Sequence, residues 1–598
     1  MCGILAILNN NNNTIHYDNI NIAMEAGRNR GPEKSTLELY NNIIFGFHRL
    51  AINGMNSESG QPMKIDEITL ICNGEIFNYK ELFEMIGETP KTNSDCEIII
   101  HLYKKYGIEH TLRMLDGEFA FAILDSRNKE QMVFHYARDP YGVRPLYILE
   151  HSKEYLSDFN EKTVNNIRII KEKVFAVASE LKVLHKLYDY KDRRLYYEDE
   201  DHSVRKMNMR LKGLNPYNIV QVTPGTFSSY KTNKSDEYWE NLVKNKSYHT
   251  TPISEMMTTS KKSLDEYKRG ICEYLNYAVK KRVVGTCDRP IACLLSGGLD
   301  SSLITALVKK YYKGELETYS IGMQGSEDLR NASIVAKHLG TKLTEIVMKP
   351  DEFFDAITCV IRDIESYDTT SVRASVGNYL IGKYISENSE AKVIMNGDGS
   401  DELTGGYIYM LKNKDPIEFD RECRRLLSDI YYFDVLRSDK CISSHGLEPR
   451  TPFLDKCFVD YYLRIPVEIR SNVKDENGKV IEKYLLRQAF HENEPDLLPS
   501  EILWRKKEAF SDGVSGTSGS WYEYIHKKLE NMTIVVDDFE YKVNPPKTKE
   551  QSFYRAIFDK FYPDMSSIVP YFWMPKYVNT NECSALSIKK EVYESNSE

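Results

Sequence analysis

The sequence predicts two domains of different fold class: an α+β domain of layered antiparallel sheets with helices, followed by an α/β domain with a parallel sheet. The chain has 598 residues, which is more than one hydrophobic core normally organises. Short apolar runs separated by Gly, Asn and Asp come first, and from about residue 262 the pattern becomes strand, tight loop and helix. We assign residues 1–235 and 236–598 to the two domains, with the boundary expected between about 235 and 262.

Apolar runs of strand length predict most of the secondary structure. In the first half, strands are predicted at residues 3–8, 43–47, 68–72, 119–124 and 173–178, and helices near 93–106 and 179–187. In the second half, strands are predicted at residues 290–295, 317–321 and 392–395, with helices between them. Two charge-rich stretches, about 150–172 and 186–210, are interpreted as surface excursions.

Composition places the chain among cytoplasmic globular proteins. It is 41% hydrophobic and 28% charged, and no apolar run approaches the roughly 20 residues of a membrane helix. Its N-terminus turns polar early and lacks a basic start, which argues against a signal peptide. The eleven cysteines are scattered without a C-x-x-C pair, which favours a reducing compartment. The net charge of −9, without a long basic block, argues against nucleic acid as a partner, and a homodimer is left open.

Cysteine at position 2 is the first candidate catalytic residue. Removal of Met1 would leave its thiol beside a free α-amine, which can take the thiol proton. A lone Met-Cys start is more often incidental, so the neighbouring motifs matter. An Arg can clamp a substrate carboxylate, an acidic side chain can hold an ammonium, and an Asn amide with a Gly N–H can form an oxyanion hole. These residue types occur in the segments 48–52, 73–78 and 92–97.

The string SGGLDSS at residues 296–302 is a candidate phosphate cradle. It lies between a predicted strand and a helix, where backbone N–H groups and hydroxyls can approach an anion. It lacks the spacing and the lysine of a Walker loop, and a lone Ser-Gly-Gly can also be a simple turn. Asp300 is the carboxylate best placed for Mg²⁺ beside such a loop.

The first domain resembles the class II glutamine amidotransferases, which have the fold of N-terminal nucleophile hydrolases. The resemblance is carried by MCGI at 1–4, RGP at 30–32, HRLAI at 48–52, NGEIFN at 73–78, LDGEFA at 115–120 and ARDPYGVRPLY at 137–147. It implies that Cys2 is the nucleophile and that Asn73 and Gly74 line the oxyanion hole. It further implies that glutamine is held by Arg49, Leu50, Ile52, Asn73, Gly74, Glu75 and Asp95. Residues 139–142 are interpreted as structural, and Glu33 departs from the usual Asp of the family.

The second domain resembles that of the glutamine-hydrolysing asparagine synthetases, which have the PP-loop fold of the adenine nucleotide alpha hydrolase type. The matching strings are SGGLDSS at 296–302, ESYDTTSVRAS at 365–375, NGDGSDEL at 396–403, HGLEPRTPFLD at 445–455, EKYLLR at 482–487, FSDGV at 510–514 and WMP at 573–575. The ATP ligands implied are Leu295, Ser296, Gly297, Gly298, Asp300, Ser301, Ser302, Ile321, Asn396, Gly397 and Lys483. The resemblance assigns Thr370, Ser371, Arg373 and Asp401 to aspartate and the reaction intermediate, and Asp300 to the metal. Arg450 and Asp455 either form an internal ion pair or contact a ligand.

Asp398 stands where the family usually has Glu, in Gly-Glu-Gly-Ser-Asp-Glu. The resemblance implies a general base that accepts a proton from attacking ammonia, provided that the shorter side chain or a water reaches the reaction centre. The alternatives are a loop cap and a degenerate synthetase site.

These motifs together predict an ATP- and Mg²⁺-dependent ligase. Glutamine would supply ammonia, aspartate and ATP would form β-aspartyl-AMP, and asparagine, glutamate, AMP and pyrophosphate would be released. One alternative is a β-lactam-synthetase-like adenylating enzyme, which closes a ring and dispenses with the glutaminase nucleophile. Another is an inactive family member that binds or regulates. Cys2 and its complete set of glutamine residues argue against the first alternative, and the presence of Cys2, Arg49, Asp300 and Lys483 argues against the second.

Overall fold

The computed structural model describes most of the chain. The described residues are 1–10, 15–40, 42–151, 174–188, 194–198, 204–208, 217–232, 238–255, 257, 260–286, 288–471, 480–507, 513–515, 519–532, 541–580, 582–584 and 592. The predicted excursion at 150–172 lies outside them except for its first two residues, and so do residues 510–512 of the FSDGV string. Within 186–210 the described residues are 186–188, at the end of the helix Leu181–Tyr188, and the antiparallel strand pair Arg194–Glu198 and Val204–Asn208.

In the described residues, the N-terminal domain has two six-stranded antiparallel sheets between two layers of helices, and a separate two-stranded sheet. The first sheet has the order β12-β8-β9-β1-β3-β2 and the second β14-β13-β7-β6-β5-β4. The strands are β1 Gly3–Leu8, β2 Lys34–Tyr40, β3 Ile43–Arg49, β4 Met63–Ile65, β5 Ile68–Ile76, β6 Gly117–Asp125, β7 Val133–Arg138, β8 Tyr147–His151, β9 Phe175–Ala178, the hairpin strands β10 and β11 given above, β12 Tyr217–Gln221, β13 Thr226–Thr232 and β14 Trp239–Ser247. The helices are Tyr17–Glu25, Tyr79–Ile86, Glu97–Met114 and Leu181–Tyr188.

The two sheets bury a shared core, which explains the continuous apolar runs of the sequence. Ile4, Phe45, Ile71 and Tyr136 from both sheets lie in one buried cluster. Helices cover the outer faces, so a strand such as β1 is buried along its whole length. A strand that is buried on both faces has a continuous apolar sequence and does not alternate between apolar and polar residues.

The C-terminal domain has a parallel sheet of order β17-β16-β15-β18-β19 within the described residues. Its strands are β15 Ile291–Leu294, β16 Glu317–Gly322, β17 Lys342–Val347, β18 Val393–Met395 and β19 Glu448–Arg450. Its helices are Leu264–Val284, Leu299–Tyr311, Glu327–Leu339, Pro350–Ile364, Thr369–Asn388, Ser400–Thr404, Pro416–Asp429, Asp434–Ser443, Lys456–Arg464, Val467–Arg470, Tyr484–Asn493, Ser500–Leu503, Trp521–Glu530 and Lys549–Phe561. Alternate residues of β15 enter two different buried clusters, so helices cover both faces of the sheet. The predicted α+β and α/β classes are therefore confirmed.

The structure bears on the expected domain boundary and adds strands that the sequence did not predict. Strand β14 pairs with β13 and extends the N-terminal sheet past residue 235, so we propose a boundary between Ser247 and Leu264, which overlaps the expected range of about 235 to 262. Strand β19 was not predicted, because Pro449 lacks an N–H for a central ladder; β19 is an edge strand, where proline is tolerated. Among the described residues, no helix is both long and apolar enough to span a bilayer.

Candidate active sites

Cys2 lies at the start of β1, at the interface between the two domains. Its thiol donates to the carbonyl of Leu50 at 3.6 Å, and its own carbonyl accepts from Arg30 at 3.0 Å. Burial raises the pKa of the Cys2 thiol to about 11 in the chain that carries Met1. The Met1 amine lies 3.7 Å from Glu448 of β19 and is itself buried. The thiol is therefore neutral until a base comes beside it.

Asn73 and Gly74 lie on β5, near Cys2 and the glutamine-binding residues predicted from the sequence. The Asn73 side chain is fully buried, yet neither of its amide atoms has a hydrogen-bond partner among the described residues. A buried amide without a partner is costly, so a ligand that pairs with it is favoured. Gly74 is required sterically, because a Cβ there would lie 2.3 Å from the carbonyl of Glu118.

Glu75 and Asp95 form a buried acidic pair. Burial raises the pKa of Glu75 well above its usual range and that of Asp95 to about 6, with a further upward contribution from Glu448 to both. Asp95 accepts from the Ile76 N–H at 2.6 Å, and Glu75 accepts from the Asn53 amide at 2.8 Å. Two buried carboxylates that repel each other favour a cationic ligand between them.

Arg49 ends β3 and opens the loop that runs to Gly54. Its guanidinium donates to the carbonyls of Gly54 at 2.5 Å and Asn56 at 2.9 Å. Leu50 and Ile52 are buried in the core cluster that reaches into the C-terminal domain. The structure thus brings the loop of Arg49 and Leu50 beside Cys2, with Asn53 linking it to Glu75.

The phosphate loop follows β15, as predicted. Gly297 has φ of +72°, and a Cβ there would lie 2.5 Å from Asn331 and Ala332, so only glycine fits. The Ser296 and Ser301 hydroxyls lie 3.0 Å apart across the loop. The helix Leu299–Tyr311 starts directly after Gly298, which leaves its N-terminal N–H groups for an anion.

Lys483 joins two carboxylates below this loop. Its ammonium lies 2.6 Å from Asp300 and 2.6 Å from Asp401. Lys507 adds a second cation, 2.5 Å from Asp401. Burial opposes ionisation, but Lys483 and Lys507 outweigh it and lower the pKa of Asp401. The Lys483 backbone has φ of +59°, an uncommon conformation for a residue with a side chain.

A cavity of about 1490 Å³, including its open mouth, contains most of the predicted ATP residues. The predicted residues that line it are Leu295, Ser296, Gly298, Asp300, Ser301, Ile321, Asn396, Gly397 and Lys483. Gly297 and Ser302 lie behind this wall, where they shape the loop. We refer to this cavity as the synthetase cavity.

Asp398 also lines the synthetase cavity. Its Oδ1 lies 3.4 Å from Arg437, whereas its Oδ2 has no hydrogen-bond partner in the part of the chain that is described. Burial raises the pKa of Asp398, and Arg437 opposes that shift.

Of the three hydroxyl and guanidinium residues assigned to aspartate, two line cavities and one does not. Thr370 lines the synthetase cavity and a smaller neighbouring cavity, and Ser371 lines the smaller one. Arg373 lines neither cavity, and its guanidinium forms ion pairs with Glu550 and Glu582 at 2.5 Å each, so its assignment to aspartate stays a prediction. The structure places Arg373 in a buried ion-pair cluster behind the cavity wall.

Sequence reasoning missed several cavity residues. Lys507 ends the basic run Arg505-Lys506-Lys507, all of which lines the cavity, and that run was a visible charge signal. Tyr407, Asp434 and Arg437 also line it, but they come from segments without a recognisable motif.

Ion pairs and backbone hydrogen bonds account for three further sequence expectations. Arg450 pairs with Glu448 at 2.8 Å and Glu75 at 3.4 Å, while Asp455 pairs with Arg282 at 2.7 Å. Arg450 and Asp455 therefore form ion pairs with other residues and not with each other. Asp139 accepts from the N–H groups of residues 141, 143 and 144 at 2.9 to 3.1 Å, which agrees with a structural role for 139–142.

The sites define an amidotransferase of the N-terminal cysteine type that is joined to an ATP-dependent synthetase domain. The family model for a glutamine amidotransferase domain matches residues 1–239, and that for asparagine synthase matches 270–416 and 411–582. Asparagine synthetase [glutamine-hydrolyzing] from Gallus gallus is 40% identical over 588 residues, and that from Homo sapiens 38% over 586, each over 94% of both chains. The chain belongs to the family of glutamine-hydrolysing asparagine synthetases.

A solved structure also aligns with the chain. Glutamine-dependent NAD+ synthetase from Acinetobacter baumannii, in complex with adenosine diphosphate, covers 53% of this chain and 45% of its own. The identity is 12% and the TM-score 0.23, which is too low to support a conclusion.

Proposed function

We propose that this chain is a ligase that makes asparagine from aspartate and ATP, with glutamine as the ammonia donor. The proposed intermediate is β-aspartyl-AMP, and the other products are glutamate, AMP and pyrophosphate. One observation carries the proposal: a Cys2 site at the domain interface and an ATP-type cavity occur together in one chain of this family.

In the N-terminal site, the Cys2 sulfur is proposed to attack the side-chain carbonyl of glutamine after Met1 is removed. The freed α-amine takes the thiol proton and passes it to the departing ammonia, and water then releases glutamate from the thioester. The unpaired Asn73 amide and Gly74 would stabilise the oxyanion. Arg49 is proposed to hold the substrate carboxylate, and Glu75 with Asp95 its ammonium.

In the synthetase cavity, the β-carboxylate of aspartate is proposed to attack the α-phosphorus of ATP, so that pyrophosphate leaves. The loop at 296–302 offers backbone N–H groups to the phosphates, and Lys483 and Lys507 add positive charge. Bound Mg²⁺ would neutralise phosphate charge, and Asp300 with Asp401 are the carboxylates that would hold it. The described residues contain no group of three or more metal-binding side chains, and Mg²⁺ beside phosphates needs one or two carboxylates.

Ammonia is then proposed to attack the activated carbonyl, so that AMP leaves and Asp398 accepts the surplus proton. The unpaired Oδ2 of Asp398 and its place in the cavity wall support this role over that of a loop cap. Ammonia must cross the domain interface without being protonated by water. Buried side chains line that interface: Arg30 lies 2.7 Å from Asp439, and Arg144 lies 2.9 Å from Glu118.

Product analysis of the full chain tests the proposal. The protein is incubated with ATP, Mg²⁺, aspartate and glutamine labelled with ¹⁵N in its amide, and products are identified by mass spectrometry. We expect ¹⁵N-asparagine with equal amounts of AMP and pyrophosphate. A cyclised acid with no glutamine consumed would favour the β-lactam-synthetase alternative, and ligand binding without turnover would favour an inactive binding protein.

We also propose a cytoplasmic location, on the basis of the scattered cysteines. A homodimer stays a proposal that sedimentation of the full chain would test. Glutamine, aspartate and ATP are the proposed small-molecule partners, and no role for nucleic acid is proposed.

A further inference from the structure

A loop of the N-terminal domain that carries predicted glutamine ligands is held by side chains of the C-terminal domain. We name residues 49–54 the glutamine loop. Arg289 donates from Nε to the carbonyl of Ala51 at 2.9 Å. Asp288 accepts from the backbone N–H of Gly54 at 2.9 Å. Both ends of the loop segment 51–54 are therefore bound to two consecutive residues of the other domain.

Glu33 completes this arrangement. Its Oε2 accepts from the Ala51 N–H at 2.8 Å, and its Oε1 forms an ion pair with Arg289. The N–H and the carbonyl of Ala51 are thus each bound by one member of the same ion pair. Glu33 is also the residue at which the sequence departs from the usual Asp, whose side chain is shorter by one methylene.

The glutamine loop touches the proposed chemistry at three points. The Leu50 carbonyl accepts from the Cys2 thiol at 3.6 Å. Arg49, the proposed carboxylate ligand, is fixed by the Gly54 carbonyl at 2.5 Å. Asn53 donates to Glu75, a proposed ammonium ligand, at 2.8 Å. A displacement of residues 51–54 would therefore move groups on both sides of the bound glutamine.

We propose that Asp288 and Arg289 are positioning residues of the glutaminase site: the C-terminal domain sets the conformation of the glutamine loop through them. They touch the loop backbone and not the reacting atoms, so their contribution is to geometry. Positioning of this kind strongly affects kcat/KM, because a small misplacement of the binding groups weakens productive binding of the substrate. The inference rests on the proposed glutaminase function of the Cys2 site.

The same two residues lead directly into the phosphate loop. Pro290 follows Arg289, strand β15 covers Ile291–Leu294, and the loop begins at Ser296. The pair Asp288 and Arg289 and the phosphate loop therefore lie at opposite ends of one short strand. Strand β15 is hydrogen-bonded to a strand on each side, which restricts its movement. It therefore connects the glutamine loop firmly to the wall of the synthetase cavity.

The test compares Arg289→Gln and Asp288→Asn with the parental full chain. We expect the KM for glutamine to rise about tenfold in each, with kcat changed less, because substrate positioning is lost while the nucleophile stays. Synthesis from saturating ammonium and the thermal unfolding midpoint should match the parental chain. Arg289→Lys should recover part of the loss, since it restores charge but not the guanidinium geometry.

Lys456→Gln is the matched control. Lys456 crosses the same domain interface to the Leu115 carbonyl at 2.9 Å and does not contact the glutamine loop. A double-mutant cycle of Glu33→Gln with Arg289→Gln should be non-additive, because both residues hold Ala51. The inference is overturned if both single variants keep the parental KM for glutamine, or if Lys456→Gln raises it equally. A parental chain that hydrolyses no glutamine would instead contradict the proposed function itself.

Discussion

The carboxylate of Asp398 lies 3.4 Å from the guanidinium of Arg437 in the wall of the synthetase cavity. This contact occupies one oxygen and leaves Oδ2 without a partner among the described residues. Arg437 also forms an ion pair with Asp434 at 3.0 Å, which orients the guanidinium toward Asp398. A carboxylate with one fixed and one free oxygen is oriented for proton transfer.

We predict that Asp398→Ala abolishes asparagine formation from saturating ammonium, a fall of at least about 100-fold, because a general base commonly contributes that much. Asp398→Glu should keep or raise the yield, since it restores the longer side chain usual in the family. Asparagine yield is the measurement, and glutamine hydrolysis should be unchanged in both variants. Near-parental yield from the Ala variant would exclude Asp398 as the base. A dead Glu variant would mean that the pocket is built around the shorter side chain.

We predict that Cys2→Ala removes glutamine-dependent synthesis and leaves ammonium-dependent synthesis at the parental rate. The reason is that the nucleophile and the synthetase cavity use separate residues. Both activities are measured on the same preparation, and intact mass should show that the parental chain starts at Cys2. Glutamine hydrolysis by the variant, or a retained Met1 in an active parental chain, would contradict the assignment.

Lys483→Ala should stop pyrophosphate formation while glutamine hydrolysis continues. Removal of this ammonium leaves Asp300 and Asp401, each 2.6 Å away, with Lys507 as their one remaining cation among the described residues, so the two carboxylates repel phosphate more strongly. A loss of several kcal/mol, or about 1000-fold in rate, is typical of such charge stabilisation. Pyrophosphate release is the readout. Asp300→Asn should behave likewise, and unchanged release in both variants would exclude this ATP site.

Lys507 belongs to none of the sequence motifs, and its place in the synthetase cavity leads to a further prediction. We expect Lys507→Gln to lower pyrophosphate formation about tenfold or more, because its ammonium is one of two that pair with Asp401 in the cavity. Lys280→Gln, at an exposed position of the helix Leu264–Val284, is the control for loss of one surface charge. Equal activity of the two variants would exclude a role for Lys507.

The pH dependence of glutamine use should report Asp95. Burial raises the pKa of Asp95 to about 6, so the ionised form that binds an ammonium is lost as the pH falls below that value. The KM for glutamine should then rise about tenfold per pH unit below about 6 and level off above about 7. Asp95→Asn should have a high KM without this dependence. A parental KM that stays flat through that range would contradict the role of Asp95.

Much of the fold was predictable because it depends on local patterns. The strand Gly3–Leu8 and the loop around Gly297 follow from an apolar run and from a steric need for glycine. The edge strand Glu448–Arg450 was not predictable, because its proline argues against a strand unless the strand order is known.

The candidate sites were predictable where a motif carries the residue and hard to predict where tertiary packing places it. Asp300 and Lys483 are 183 positions apart, yet their motifs identified both. The ion pairs of Arg373 were not predictable, because sequence alone does not show that Glu550 and Glu582, far along the chain, lie beside it. Asp288 and Arg289 carry no motif at all, and only the docking of the two domains brings them to Ala51 and Gly54.

Met1 has a consequence for the order of events during biosynthesis. Only 1% of its surface is exposed, and its amine faces Glu448 of the other domain. An aminopeptidase cannot reach a residue enclosed in this way. Because the proposed mechanism needs a free amine on Cys2, we predict that Met1 is trimmed from the nascent chain before the second half closes onto the first.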